Sequence, residues 1–293
     1  MPNLHAGVLL VAHGTVRELD ELPAFLSRIR GGRPVSPELL AETRRRYALI
    51  GRSPLLRVTE EQAALLERRV RVPVLVGMRL AEPTIEEALV RAAERGLERV
   101  VVVPLAPFSV HVYLAAAKAA RERVIAGGGK APELVAVAAW GESSHFVRAH
   151  AAAIRPYLTP DARLLLTAHS LPLVAIRAGD PYAAQVRASA AAVGRELGRP
   201  FELAFQSQGA DGGEWLGPTL SSALETAKRD GGGHIVLAPF GFLSEHVETL
   251  YDLDVEARGW ATALDLTWTR VPALGVAEGL IEALADLVIR ALS

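Results

Sequence analysis

A chain of 293 residues, half of them hydrophobic and 22% charged, holds enough apolar material for one large domain or two ordinary ones. Its formal net charge of −1, with both signs mixed along the chain, speaks against a nucleic-acid partner. The absence of cysteine removes disulfides, thiolate metal sites and cysteine nucleophiles together, and fits a cytoplasmic location.

The first apolar run, Ala6 to Ala12, is too short for a membrane span and lacks a basic leader and cleavage site. It reads as a strand, GVLLVAH, that ends on His13. Ser36-Pro37 then marks a helix start, an N-cap followed by proline at the first helical position. Thr59 with Gln62 reads as a capping box opening another helix. VPVLVGM and RVVVVPLAP are the next strands, and the glycines at 127–129 make a turn before ELVAVAAW. RLLLTAHS ends on a second histidine, His169, and Asp180-Pro181 repeats the cap-and-proline device after it. FELAFQS, HIVLAPFGF and ALDLTW complete the strands, and the tail from Gly275 to Ser293 is apolar at helical spacing. Near-continuous apolar strands alternating with helices predict the α/β class, with parallel sheets covered on both faces.

VLLVAHGT (8–15) is echoed by LLLTAHSL (164–171), and VVVVPLAPF (100–108) by HIVLAPFGF (234–242), in the same order in each half. Two related α/β halves are expected, joined near residues 141–160. AGGGKAP lacks the first glycine and final hydroxyl residue of a phosphate loop, and no strand leads into G-x-G-x-x-G, so a nucleotide enzyme is disfavoured.

Ligands of open parallel sheets bind beyond the carboxyl ends of the strands. His13, His169 and the loop before Ser244 all fall there. In SEHVETLYDLDVEA, with Ser244 as N-cap, a helix from Glu245 places Glu245, Glu248, Asp252 and Glu256 on one stripe, with Val247, Leu250, Tyr251 and Val255 facing the core. A solvated acidic face would show the same spacing. These like charges repel, however, and almost no basic residue lies nearby in sequence. A carboxylate stripe leading to an imidazole suits a divalent cation with oxygen and nitrogen ligands.

AHSLP…GDPY, QSQGADGGEWLGP and SEHVETLYDLD closely resemble the signature segments of ferrochelatases. IRGGRPVSPELLAETRRRYALIGRSPLLRVTEEQA and GMRLAEPTIEEAL extend the resemblance, in order, over nearly the whole chain. It implies ferrous iron insertion into a porphyrin, coproporphyrin III or protoporphyrin IX, in haem synthesis. It also implies two Rossmann-like, chelatase-type domains around a cleft: residues 1–145, residues 146–274, and a C-terminal helix over 275–293 that returns to the first domain. By the same resemblance His169 binds metal or accepts a pyrrole proton, with Glu248 as its acidic partner, and Glu245, Asp252 and Glu256 guide metal inward. Arg30, Arg46, Tyr47, Ser53 and Tyr113 match porphyrin-contacting positions of the coproporphyrin-using branch. His13 stands where that branch has tyrosine, facing the porphyrin, as an axial ligand or a second base. Iron is then a substrate and no cofactor is permanently bound. The lack of cysteine excludes a cysteine-held iron–sulfur cluster. Trp215 suits a packing anchor or a wall of the macrocycle pocket.

The residue types suit the chemistry. A free-base porphyrin loses two pyrrole protons as the metal enters, which an imidazole can accept, and propionates match arginine forks. Insertion of cobalt or nickel into a related tetrapyrrole, and a porphyrin carrier with His13 on the iron, are the alternatives.

Overall fold

The computed structural model describes residues 5–209 and 213–293. Ala210–Gly212, inside the QSQGADGGEWLGP segment, lie outside the described residues.

All eight expected strands form. In the first half they are β1 (Ala6–Ala12), β2 (Val74–Met78), β3 (Arg99–Pro104) and β4 (Glu133–Ala136). In the second half they are β5 (Ala162–His169), β6 (Phe201–Gln206), β7 (His234–Ala238) and β8 (Thr267–Arg270). Each half builds a four-stranded, all-parallel sheet, ordered β2-β1-β3-β4 and β6-β5-β7-β8. The orders are the same once β1 is matched to β5 and β3 to β7, so the sequence echo is a duplication of topology. In each sheet the chain leaves the first strand to one side and returns on the other. That reversal opens a crevice at the carboxyl ends of β1 and β3, and again at those of β5 and β7.

By compactness the chain divides into two units, one reaching to Trp140 and taking in Leu280–Ser293, the other Gly141–Gly279. The divisions fall a few residues from the boundaries that the sequence suggests. The C-terminal helix Glu278–Leu292 buries Leu280, Ile281, Leu284 and Val288, a helical apolar stripe. Glu282 on it pairs with Arg69 of the helix Leu55–Val70 at 3.0 Å.

Burial explains the strand composition. Every residue of β1 is buried, because helices cover both faces of its sheet. On one face Ile85, Ala88, Leu89 and Ala92, at helical spacing, pack on Leu9, Val11, Val100 and Val102. In the second unit Leu220, Ala223, Leu224 and Ala227 do the same against Leu165, Ile235 and Leu237.

Some helix starts follow the expected local chemistry and some do not. Ser36 caps the helix Pro37–Ile50 by accepting the Leu39 N–H. Asp180 accepts the Tyr182 N–H where the helix Tyr182–Leu197 begins. Thr59 and Gln62 do not form a capping box. Their helix already starts at Leu55, and the buried Thr59 hydroxyl bonds back to the Leu55 carbonyl. Back-bonding of this kind gives a buried mid-helix threonine hydroxyl its partner. No helix among the described residues is long and apolar enough to cross a membrane.

Candidate active site

β5 delivers His169 to the carboxyl edge of the second sheet, directly across from Gln206 in the register of β6. The loop after His169 is fixed from several sides. Ser170 N–H donates to the Gln206 carbonyl at 2.7 Å, Ser170 Oγ to the Leu216 carbonyl at 2.8 Å, and Tyr182 OH to the His169 carbonyl at 2.8 Å. Leu216 N–H returns to the Leu171 carbonyl at 2.9 Å, and Pro172 bridges to the half-buried Trp215. The AHSLP and EWLGP segments therefore brace each other.

On the other side of the crevice the loop after β7 runs against the end of β5. Gly241 N–H donates to the Thr167 carbonyl at 2.9 Å, and a Cβ on Gly241 would stand 2.8 Å from both Cα and Cβ of Ala168. Only glycine fits there. The loop then starts the helix Val247–Leu250, which presents Glu248 to His169.

The expected helix start is corrected by the structure. The N-cap is His246, not Ser244: His246 and Thr249 bond each other in a reciprocal box, and Glu245 precedes the helix. Residues Asp252–Ala257 then form a π-helical segment, in which Glu256 N–H reaches the Tyr251 carbonyl five residues back at 3.0 Å. The wider turn rotates the residues beyond it, so Leu253 and Ala257 enter the core while Val255 is exposed. The four carboxylates consequently do not share one stripe. Asp252, 6% exposed, bonds the Ser207 hydroxyl, whereas Glu256 is half-buried. Ser207 holds a left-handed backbone, φ 59°, as it makes that bond at the end of β6. Beside it, Gln206 Nε2 donates to the Glu248 backbone carbonyl at 2.8 Å.

Within this unit His169 and Glu248 come together, Nε2 to Oε1 at 3.5 Å, each side chain about one-third exposed. His246 lies at the same distance from the other Glu248 oxygen, Nε2 to Oε2 at 3.5 Å. The Phe242 ring stands between the imidazoles, 6.5 Å from His169 and 5.0 Å from His246. One carboxylate thus bridges two imidazoles. The sequence reading misses His246, although it sits two residues from Glu248 in the same motif.

The electrostatics favour an ion pair. Burial pulls the His169 imidazole down, but the Glu248 carboxylate, the Ser170 carbonyl and Asp252 outweigh it and raise its pKa to about 9. Burial likewise pushes Glu248 up, and the two histidines more than offset this, holding the carboxylate well below its usual range. The Ser170 carbonyl can only accept, so His169 Nδ1 carries a proton towards it. That leaves Nε2, the atom facing Glu248, as the nitrogen that gains or loses a proton or takes a metal.

In the first unit the AHGT loop follows β1. His13 packs edge-on to Phe25, ring centroids 6.4 Å apart, and its carbonyl accepts the Leu80 N–H. Tyr47, 4% exposed, joins its hydroxyl to Thr15 at 3.1 Å, which ties the helix Pro37–Ile50 to this loop. Arg46 donates to Glu42 at 2.8 Å, and Arg30, at the end of the helix Leu22–Ile29, donates to the Pro34 carbonyl at 3.1 Å. Ser53 is half-buried just before the helix Leu55–Val70. Tyr113 is buried in the core of this sheet, with the Arg79 guanidinium 5.9 Å from its ring centre.

Similarity to known proteins shows the family and the fold. The ferrochelatase family model matches residues 5–292. The chain belongs to the ferrochelatase family. A ferrochelatase of Acidobacterium capsulatum is 33% identical, the alignment covering 96% of this chain and 93% of that one. One of Thermus thermophilus is 34% identical over 96% and 98%, and a coproporphyrin III ferrochelatase of Anoxybacillus flavithermus 33% over 97% and 95%. Solved chelatase structures share the fold of this ferrochelatase. SirB of Bacillus subtilis with Fe3+ superposes with a TM-score of 0.65 at 15% identity, covering 98% of this chain and 95% of that one. CbiX, described as the terminal enzyme of sirohaem synthesis in denitrifying bacteria, gives 0.58 at 20%, over 98% and 100%.

Proposed function

We propose that this ferrochelatase inserts ferrous iron into coproporphyrin III in the cytoplasm, with no permanently bound cofactor, and that His169 and Glu248 carry the reaction. The observation that carries the reading is the bridged pair, His169 Nε2 to Glu248 Oε1 at 3.5 Å, at the carboxyl edge of β5. Insertion replaces two pyrrole N–H protons by one divalent ion, so the site needs both an acceptor and a metal ligand. In the resting pair the imidazole is protonated and the carboxylate is not. A divalent ion arriving at Glu248 drives the Nε2 proton off to solvent past the exposed third of the ring. The freed imidazole takes the two pyrrole protons in turn, passing the first to solvent before accepting the second. Metal arrival and base activation are then the same event. His246, on the second oxygen of Glu248, steadies the carboxylate while its charge is shared. Asp252 adds negative charge beside His169, and Glu256 is the remaining candidate for the iron's route.

Four propionates distinguish coproporphyrin III from the two of protoporphyrin IX, and guanidinium forks are suited to them. Arg30 and Arg46 are the candidates in the first unit. Curated relatives named coproporphyrin III ferrochelatase support that substrate. The test is steady-state metallation of both porphyrins with ferrous iron, with cobalt and nickel in parallel. Coproporphyrin III with iron should give the highest kcat/KM. Preference for protoporphyrin IX would overturn the substrate, and preference for cobalt or nickel would overturn the metal.

A further inference from the structure

Arg270 closes β8 beneath the loop that carries His246 and Glu248. Its side chain is 13% exposed, and Nη2 donates to Glu245 Oε2 at 2.6 Å. Nε stands 3.3 Å from Asp254 Oδ1, and Nη1 donates to the Val271 carbonyl. The other Glu245 oxygen, Oε1, accepts the Ala273 N–H at 2.8 Å. A backbone bond runs alongside, from Gly275 N–H to the Leu243 carbonyl at 2.7 Å. One guanidinium therefore bonds Glu245, the residue before the His246 N-cap, and pairs by charge, without a hydrogen bond, with Asp254 of the π-helical segment after the helix. Glu248 lies between the two held points.

Each oxygen of Glu245 already holds an N–H donor, one of them a charge-assisted arginine bond. Each oxygen keeps a second lone pair, but the two bonds fix the carboxylate in place, so it could swing to follow an ion only by giving up the bond that fixes the loop. Arg270 supplies the basic partner that the acidic segment lacks in its own stretch of sequence, and it comes from the neighbouring strand.

We propose that Arg270 is a positioning residue for Glu248, acting through Glu245 and Asp254, and that Glu245 braces the loop instead of relaying iron. The inference rests on the metal-insertion reading above. A loosened brace lets Glu248 drift from His169, and misplacement by about 1 Å can cost on the order of a hundredfold in rate. Iron is captured first at Glu256, which the change leaves alone, and only then reaches Glu248, so kcat falls while the KM for iron holds.

The experiment compares the full-length wild type with Arg270→Gln, Arg270→Lys and Glu245→Gln. It measures initial metallation rates over ranges of iron and porphyrin, with thermal unfolding to verify the fold. Arg270→Gln should lower kcat about tenfold or more at constant iron KM. Arg270→Lys should recover part of that loss, because lysine keeps the charge but not the fork. Glu245→Gln keeps one acceptor oxygen of the two and leaves the Asp254 pair in place, so it should lose less kcat than Arg270→Gln, again at constant iron KM. Wild-type kcat in Arg270→Gln would overturn the proposal, as would a several-fold rise of iron KM in Glu245→Gln. Should Arg270→Gln not fold, Arg270→Lys decides alone: lowered kcat at constant iron KM supports the brace, and wild-type kcat overturns it. A wild type inactive on every porphyrin would sink the metal-insertion reading instead.

Discussion

His169 and Glu248 each owe their charge to the other. Neighbouring charge and a fixed carbonyl set the imidazole against the pull of burial, and Nε2 is the only nitrogen left to titrate. Followed by NMR in the metal-free protein, the His169 imidazole should lose its proton near pH 9. In Glu248→Gln, which removes the largest favourable partner, the midpoint should drop towards the ordinary imidazole value of about 6.5. An unmoved midpoint would show that Glu248 does not hold the proton. The reaction itself gives a second check. His169→Ala should cut kcat for metallation by about 10² or more, the usual range for a lost general base. The change also removes the Glu248 ion pair, so thermal unfolding is followed alongside to separate lost stability from lost chemistry. Unchanged turnover would remove His169 from the chemistry.

At the scale of elements, the site depends on the loop after β7 lying close against β5. Gly241→Ala places a methyl 2.8 Å from backbone and Cβ atoms of Ala168, where neither side can yield cheaply. The loop must lift, costing about 1–3 kcal/mol of stability and lowering metallation with it. Gly259→Ala is the control. A Cβ there meets nothing within 4 Å on the helix Arg258–Ala263, so it should be neutral or stabilise by up to about 1 kcal/mol. Equal effects from the two changes would mean that the close approach is unimportant. The same elements show what a sequence can and cannot disclose. Strands buried on both faces announce themselves as apolar runs, and two copies of one topology leave matching strand ends, so the sheets are legible. The helix after Glu248 is not. A π turn has no signature in a pattern read with a period of 3.6, and that period places Val255 inside and Glu245 on the stripe. The partner of Glu245 is hidden for another reason. Arg270 is remote in sequence and adjacent only because β8 pairs with β7.

Across the whole molecule, the displaced pKa values resolved among the described residues include Glu38 and Glu42, on the surface of one helix of the first unit, and His150, Asp161, His169, Glu245, Glu248 and Asp254 in the unit Gly141–Gly279. His150 is the buried imidazole that makes this unit sensitive to acid. It is 4% exposed on the helix Ser144–Ile154, packed 4.5 Å from the Phe146 ring and 5.1 Å from Phe240, and its Nε2 has no hydrogen-bond partner. Burial lowers its pKa from 6.5 to about 3. Between those values the unfolded chain holds a proton that the folded unit refuses, so stability falls as pH falls, by about 1.4 kcal/mol per pH unit. Raised His169 has the opposite sign. Its contribution is complete below pH 6.5 and is lost only as pH rises towards 9, so it leaves the acid slope to His150 and the lowered carboxylates. Trp215, Trp260 and Trp268 lie in this unit and only Trp140 lies in the other, so tryptophan fluorescence follows mainly the sensitive half. Denaturant unfolding read this way should show the wild type losing roughly 2 kcal/mol between about pH 6.5 and pH 5 from His150 alone. His150→Leu keeps an apolar side chain between the two phenylalanines and cannot bind a proton, so its acid slope should be shallower by that amount. Parallel slopes for wild type and variant would show that the buried imidazole does not control the acid limit of this half.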